Sequence, residues 1–232
     1  MSNNEEKNSN ILKTSNIEKM KKSHEAVPID YYENPIFPLQ LLWHQHRVNI
    51  LRLCIGQVSS RVDKVILDIG CNSGTITNKI FSEANGSIII GIDVHEAAVK
   101  YASRKYKQIS FIIADAQSLP FRDRSLDLIT CIEVLEHLPY PIRCLEEISR
   151  CLRIAGKTIL MIPNSRSRLF KIIWFLWVNS VGKAWRYNHL DILDKCDLIN
   201  LLEKFRLSVV GIIFTHIRML TVIIIRKMSV HS

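Results

Sequence analysis

Eight glycines and seven prolines in 232 residues exclude a repeat architecture built on either, and no run of about 20 apolar residues is present, as a membrane-spanning helix requires. No C-x-x-C pair occurs among the six cysteines (Cys54, Cys71, Cys131, Cys144, Cys151 and Cys196). They read as free thiols in a reducing compartment, not as disulfides or a metal site. Of the eight histidines only His44 and His46 are close, and an i, i+2 pair points to different sides of a helix, so no metal is expected. An arginine-rich block interleaved with aromatics is also missing, and the net charge of +9 is therefore not read as a nucleic-acid footprint. No apolar segment follows a basic start, and a cytoplasmic protein is expected.

The first 26 residues are rich in Asn, Ser, Lys and Glu and poor in apolar residues, which predicts a disordered tail. What remains, 27–232, suits one sizeable domain, and the 47% hydrophobic content of the whole chain supports its core. Prolines keep 28–38 extended, and a helix is predicted over Leu39–Gln57. Its packing face is expected to hold Leu42, His46, Asn49, Ile50, Leu51 and Leu53, with Arg47 either solvated or in a site.

The chain is organised around Val65–Thr77. Val65–Leu67 is a short apolar β-rich run, Asp68 follows, Gly70 and Gly74 permit a tight turn, and Thr75–Phe81 resumes helical spacing. Such a turn points free backbone N–H groups at a ligand. Dinucleotide sites favour G-x-G-x-x-G and non-acidic surroundings. Here Asn72 takes the middle glycine place and Asp68 would repel a diphosphate while suiting a cationic sulfonium and amino group.

Three further strand-and-acid steps follow. Ile88–Ile92 ends in Asp93, 25 residues after Asp68, placed to take a ribose diol or to cap the next helix. Ile109–Ala114 ends at Asp115 and Ala116, where an adenine amine and ring would fit. Leu126–Ile132 is followed by Glu133-Val134-Leu135-Glu136-His137-Leu138. An amphipathic helix over Pro141–Leu152, turned inward on Ile142, Leu145, Ile148 and Leu152, is ended by Gly156. Lys157–Asn164 makes a fifth strand. Successive β-then-α units imply an α/β fold with a parallel sheet and helices on both faces.

Taken together these residues resemble the class I methyltransferases that use S-adenosylmethionine (SAM), collinearly from about Tyr31 onward. Within the class, the ubiquinone-biosynthesis O-methyltransferases look most similar. The resemblance implies a Rossmann-like, seven-stranded sheet whose last strand is antiparallel, supplied by Leu207–Phe214 and Met219–Arg226. It also implies a SAM site made from Arg47, Asp68, Gly70, Asn72, Gly74, Asp93, Val94, Asp115, Ala116, Ile132 and Glu133. His137, and His189 from the segment after strand five, are the candidate bases, since imidazole titrates near neutrality.

Residues 165–190 are an insertion whose run Leu169–Val178 is apolar, with Phe170, Trp174 and Trp177 near one helical face. Arg166, Arg168, Lys171, Lys183 and Arg186 lie around it. Three readings stay open for it: a lid over a hydrophobic acceptor, a face for a membrane surface or partner, and plain core. A small, apolar or lipid-like acceptor is expected. The rival is a SAM-binding protein without catalysis, acting as a partner subunit.

Overall fold

The computed structural model describes residues 29, 31, 33–34, 38–58, 64–81, 86–164, 166–180 and 195–229. The expected polar tail, His189, Lys183 and Arg186 lie outside the described residues.

Helix α1 (Pro38–Val58) opens on a proline, whose fixed φ suits the first helical turn. It leads to β1 (Val65–Ile69), α2 (Thr75–Phe81), β2 (Ile88–Asp93), α3 (Glu96–Lys105), β3 (Ser110–Ile113) and β4 (Leu126–Ile132). A single 3₁₀ turn, Leu135–His137, precedes α4 (Pro141–Cys151) and β5 (Leu152–Pro163). The chain continues through α5 (Arg168–Asn179), α6 (Lys195–Lys204), β6 (Leu207–Thr215) and β7 (Leu220–Lys227).

The seven strands lie in the order β3-β2-β1-β4-β5-β7-β6. Strands β1 to β5 pair in parallel, and β7 is antiparallel to both β5 and β6. The order reverses beside β1, so the crevice at its carboxyl end is the topological switch point where ligands bind in open α/β sheets.

Both faces of the sheet are covered, as the unbroken apolar runs demand. On one face Leu67, Ile69, Ile129 and Cys131 pack with Leu145 and Ile148 of α4 and Leu198 and Leu202 of α6. On the other, Ile66, Leu128, Ile159 and Met161 meet Val48, Leu51 and Cys54 of α1 and Ile80 and Phe81 of α2.

Three expectations are corrected. The buried face of α1 is Gln40, His44, Arg47, Val48, Leu51, Cys54 and Ile55, while Leu42 and Leu53 are exposed. This helix carries apolar residues most of the way round, so periodicity could not fix which stripe packs. Gly156 does not end α4. That helix stops at Cys151 because Leu152 already pairs with Leu126 of β4, and Gly156 lies within β5 next to Ala155 at φ 62°. Ile142 of α4 is exposed, and Cys144 and Cys151 take the inner positions with Leu145 and Ile148.

Candidate active site

The turn after β1 is held by its own backbone. Gly70 and Cys71 donate N–H groups to the Ile92 carbonyl of β2, and Gly74 donates to Cys71. Gly70 and Gly74 sit at φ 78° and 73°. Contact as well as conformation forbids a side chain there, since a Cβ on Gly70 would lie 2.3 Å from Val134 and one on Gly74 2.6 Å from the Phe111 ring. Asn72 adopts φ 47°, which asparagine tolerates, and its Oδ1 accepts from the Ser73 N–H at 2.6 Å.

Asp68 lies inside β1, opposite Thr130 of β4, and is buried. Thr130 Oγ1 donates to Asp68 Oδ1 at 2.6 Å and Thr77 Oγ1 to Oδ2 at 2.5 Å. Burial pushes its carboxyl up from an ordinary 3.8 to about 6, against the two hydroxyls that favour the charged form and with Asp93 adding to the rise. Asp93, at the end of β2, accepts from the backbone N–H groups of Asn72 (2.9 Å, on Oδ2) and His95 (2.9 Å, on Oδ1). Each oxygen keeps a further acceptor position. The N-cap position of α3 is held by His95, whose side chain makes no capping hydrogen bond.

Asp115 is exposed in the loop after β3, with Oδ1 accepting from the Gln117 N–H at 2.8 Å, and Ala116 is buried beside it. Val94 is exposed. The three acids Asp68, Asp93 and Asp115 thus occupy successive carboxyl ends of the parallel strands β1, β2 and β3.

Arg47 is buried on α1 and forms an ion pair with Glu133, which sits just past β4 at φ 53°. Arg47 Nη2 lies 3.1 Å from His44 Nδ1. Burial, then the Arg47 charge, lowers His44 to about 3, so its imidazole is neutral and can accept from the guanidinium. Arg47, Asp68, Gly70, Cys71, Asn72, Ile76 and Ile132 line one recess at the switch point. Charges of both signs face a pocket with an apolar wall, which suits a zwitterionic amino-acid tail joined to a cationic sulfur.

His137 is half-buried on the 3₁₀ turn after β4. One turn position earlier, Glu136 is 3% exposed, and neither of its oxygens has a hydrogen-bond partner among the described residues. Burial, then Glu133, raises its carboxyl well above the ordinary range, which keeps it protonated. Among the described residues no group of three His, Cys, Asp or Glu side chains is placed to hold a metal. His46, Thr215, His216 and Trp43 form a cluster beside the recess: His46 Nε2 is 3.0 Å from Thr215 Oγ1, and the Trp43 and His216 ring centroids are 4.0 Å apart.

Residues 67–160 match the model of the methyltransferase domain family, a span that starts within β1 and ends in β5 and so contains every strand end just described. Residues 67–160 form a methyltransferase domain, carried on the class I fold of SAM-dependent methyltransferases. SAM is its cofactor. The methyltransferase is 25% identical over 178 residues to a ubiquinone biosynthesis O-methyltransferase of Coxiella burnetii, covering 74% of this chain and 75% of that protein. Among solved structures it resembles magnesium protoporphyrin IX methyltransferase from Synechocystis with bound SAH (TM-score 0.67, 16% identity, 85% of this chain and 90% of that one). It also resembles the [4+2]-cyclase SpnF (TM-score 0.66, 17% identity, 80% and 82%). At these identities the two structures speak for the fold.

Sequence reasoning missed Thr77, Thr130, His44, Glu136 and the histidine cluster. Thr130 had a signal, since a hydroxyl on the neighbouring strand in register with a buried acid is the expected partner. The His216 contacts depend on a hairpin turn meeting α1, 173 residues apart in sequence, for which no local signal exists.

Proposed function

We propose that the methyltransferase transfers a methyl group to a small, apolar, lipid- or quinone-like acceptor, with residues 27–232 acting as one domain and 165–190 as its cap. The observation that carries the acceptor class is α5. Leu169, Ile172, Ile173 and Leu176 recur at helical spacing on an exposed face with Phe175, and Arg166, Arg168 and Lys171 are exposed at its start with no acid between them. Phe170, Trp174 and Trp177 share the opposite face, as their spacing predicts. Phe170 is buried and stacks on Trp174 at 5.9 Å, so the aromatic face packs inward and the aliphatic face with Phe175 is presented. The relatives named ubiquinone biosynthesis O-methyltransferase support the same acceptor class.

In this reading Asp93 accepts from the ribose diol, and Asp115 and Ala116, with Val94 alongside, receive the adenine. Gly70, Asn72 and Gly74 shape the turn against the cofactor. Arg47 takes the amino-acid carboxylate, Glu133 orients Arg47, Ile132 walls the pocket, and Asp68 supplies negative potential. SAM supplies a methyl group on a cationic sulfur, ready for in-line displacement. The chain's part is alignment of the acceptor and exclusion of water from the recess. His137 is the base that takes the acceptor's proton, and His189 is the second candidate from the cap.

We place the protein in the cytoplasm, touching anionic membrane surfaces through α5. No helix among the described residues is long and apolar enough to cross a membrane. Replacing Ile172, Phe175 and Leu176 with serine tests the reading. Methylation of an apolar acceptor and retention on anionic vesicles should fall at unchanged SAM affinity. Unchanged values for both would remove the lipid-like acceptor.

A further inference from the structure

The segment ahead of α1 carries a side chain that sequence patterning did not single out. Glu33 stands 42 residues from Thr75 in sequence, yet Thr75 Oγ1 donates to Glu33 Oε1 at 2.8 Å. Thr75 is buried and is the first residue of α2, directly after Gly74. On the other side of the same carboxylate, Tyr101 OH donates to Oε2 at 3.3 Å and Lys105 of α3 forms an ion pair with it. Tyr106 OH reaches Thr75 Oγ1 at 3.3 Å.

The hydrogen bonds continue past Thr75 into the cofactor turn. Ser73 Oγ is 3.2 Å from Thr75 Oγ1, the Ser73 N–H donates to Asn72 Oδ1, and the Asn72 N–H donates to Asp93 Oδ2. The same segment touches the other wall of the recess. The Tyr31 ring meets the His44 ring edge-on at 5.5 Å, and His44 Nδ1 is the 3.1 Å neighbour of Arg47. Tyr31 and Glu33 therefore contact both groups that must be in register for the cofactor: Glu33 the turn with Asp93, through Thr75, and Tyr31 the Arg47 side, through His44.

We propose that Glu33 is a positioning residue for SAM, joining the segment ahead of α1 to the start of α2 so that the glycine turn and Arg47 keep a fixed spacing. It rests on the assignment of Asp93 and Arg47 to the SAM site made above. A tie serving only stability could end on any exposed group of α2 or α3. This one ends on a buried hydroxyl at the start of α2, beside the glycine turn, with Thr75, Tyr101 and Lys105 converging on a single carboxylate. Burial works to raise the Glu33 carboxyl, and Lys105, Thr75 and Tyr101 outweigh it, so the charged form that accepts all three contacts is the one present near neutrality.

The test is calorimetric SAM binding to the full chain as wild type, Glu33→Ala, Thr75→Val, the double variant and Asp93→Ala, each with a thermal melt. Glu33→Ala should weaken SAM about five- to tenfold, as loss of one well-placed hydrogen bond does, at a melting temperature within about 3 °C of wild type. KM for SAM should rise while kcat at saturating SAM holds within about twofold. Because both residues act through one bond, the double variant should bind no more weakly than the worse single one. Glu33→Gln, which keeps an acceptor for Thr75, should recover most of the affinity. SAM affinity within twofold of wild type in Glu33→Ala, with only the melting temperature lowered, overturns the proposal. So do Glu33 and Thr75 effects that multiply. If Asp93→Ala binds SAM normally, the site assignment fails and the coupling fails with it. If Asp93→Ala is weakened and Glu33→Ala is not, the coupling alone fails.

Discussion

Asp68 should be held at a cost to stability, and the cost can be worked from its surroundings. Its carboxyl is raised from an ordinary 3.8 to about 6 by burial. A shift of roughly two units corresponds to about 3 kcal/mol between the two protonation states. The folded-state value lies above the unfolded one, so the stabilising share is fully present below about pH 4 and is lost as pH rises through about 6. At pH 7.5 the fold carries an ionised, buried Asp68 against nearly that whole cost. Asp68→Asn removes the charge in the same volume. An asparagine can accept from one threonine hydroxyl and donate to the other, and Thr130 Oγ1 already lies 3.5 Å from the Leu67 carbonyl, where it can turn to donate. Urea unfolding should show Asp68→Asn more stable than wild type by up to about 3 kcal/mol at pH 7.5, with the gain vanishing near pH 4. If Asp68 answers the sulfonium charge, as proposed, the same variant should bind SAM about tenfold more weakly and SAH almost unchanged. Equal destabilisation at both pH values, or unchanged discrimination between SAM and SAH, would refute the reasoning.

With Asp93 on the ribose diol, as proposed, Asp93→Ala should weaken SAM by about 1.5 to 3 kcal/mol in calorimetry, and circular dichroism should show the fold retained. Asn72→Gly should bind SAM as well as wild type or better, because Asp93 is bonded to the backbone N–H of position 72 and not to its side chain; markedly weaker binding would make the Asn72 side chain a ligand. The β6–β7 turn holds His216, Ile217 and Arg218 at φ 52°, 54° and 63°, and Ile217 is 82% exposed. A β-branched residue is poorly suited to that region, so Ile217→Asn should raise stability by about 0.5 to 1 kcal/mol in thermal unfolding at unchanged SAM affinity.

The β-α alternation, the glycine turn and the three strand-end acids were legible because each is a local pattern: an apolar run, a glycine pair, an acid at the run's end. Arg47 could be found only through family resemblance, since α1 has no sharp apolar stripe and a buried arginine there looks like any surface charge. Packing decides the orientation of α5. The stacking of Trp174 on Phe170 turns the aromatic face inward, which i, i+4 spacing cannot signal. The partners of Asp68 and Glu33 come from strands and segments far away in sequence, so the electrostatics of the recess emerges only when β1, β4 and the segment ahead of α1 are brought together.

The central claim is catalysed methyl transfer to an apolar acceptor from SAM held by the strand-end acids. Its most direct measurement is incubation of the purified protein with methyl-labelled SAM and a quinone-containing lipid extract, followed by organic extraction, beside the Asp93→Ala variant. The expected result is label in the organic phase, with an equal amount of SAH formed, and a fall of about tenfold or more in the variant at subsaturating SAM. Saturable SAM binding with no label leaving the cofactor would contradict it, and would make the protein a SAM-binding subunit instead of a catalyst.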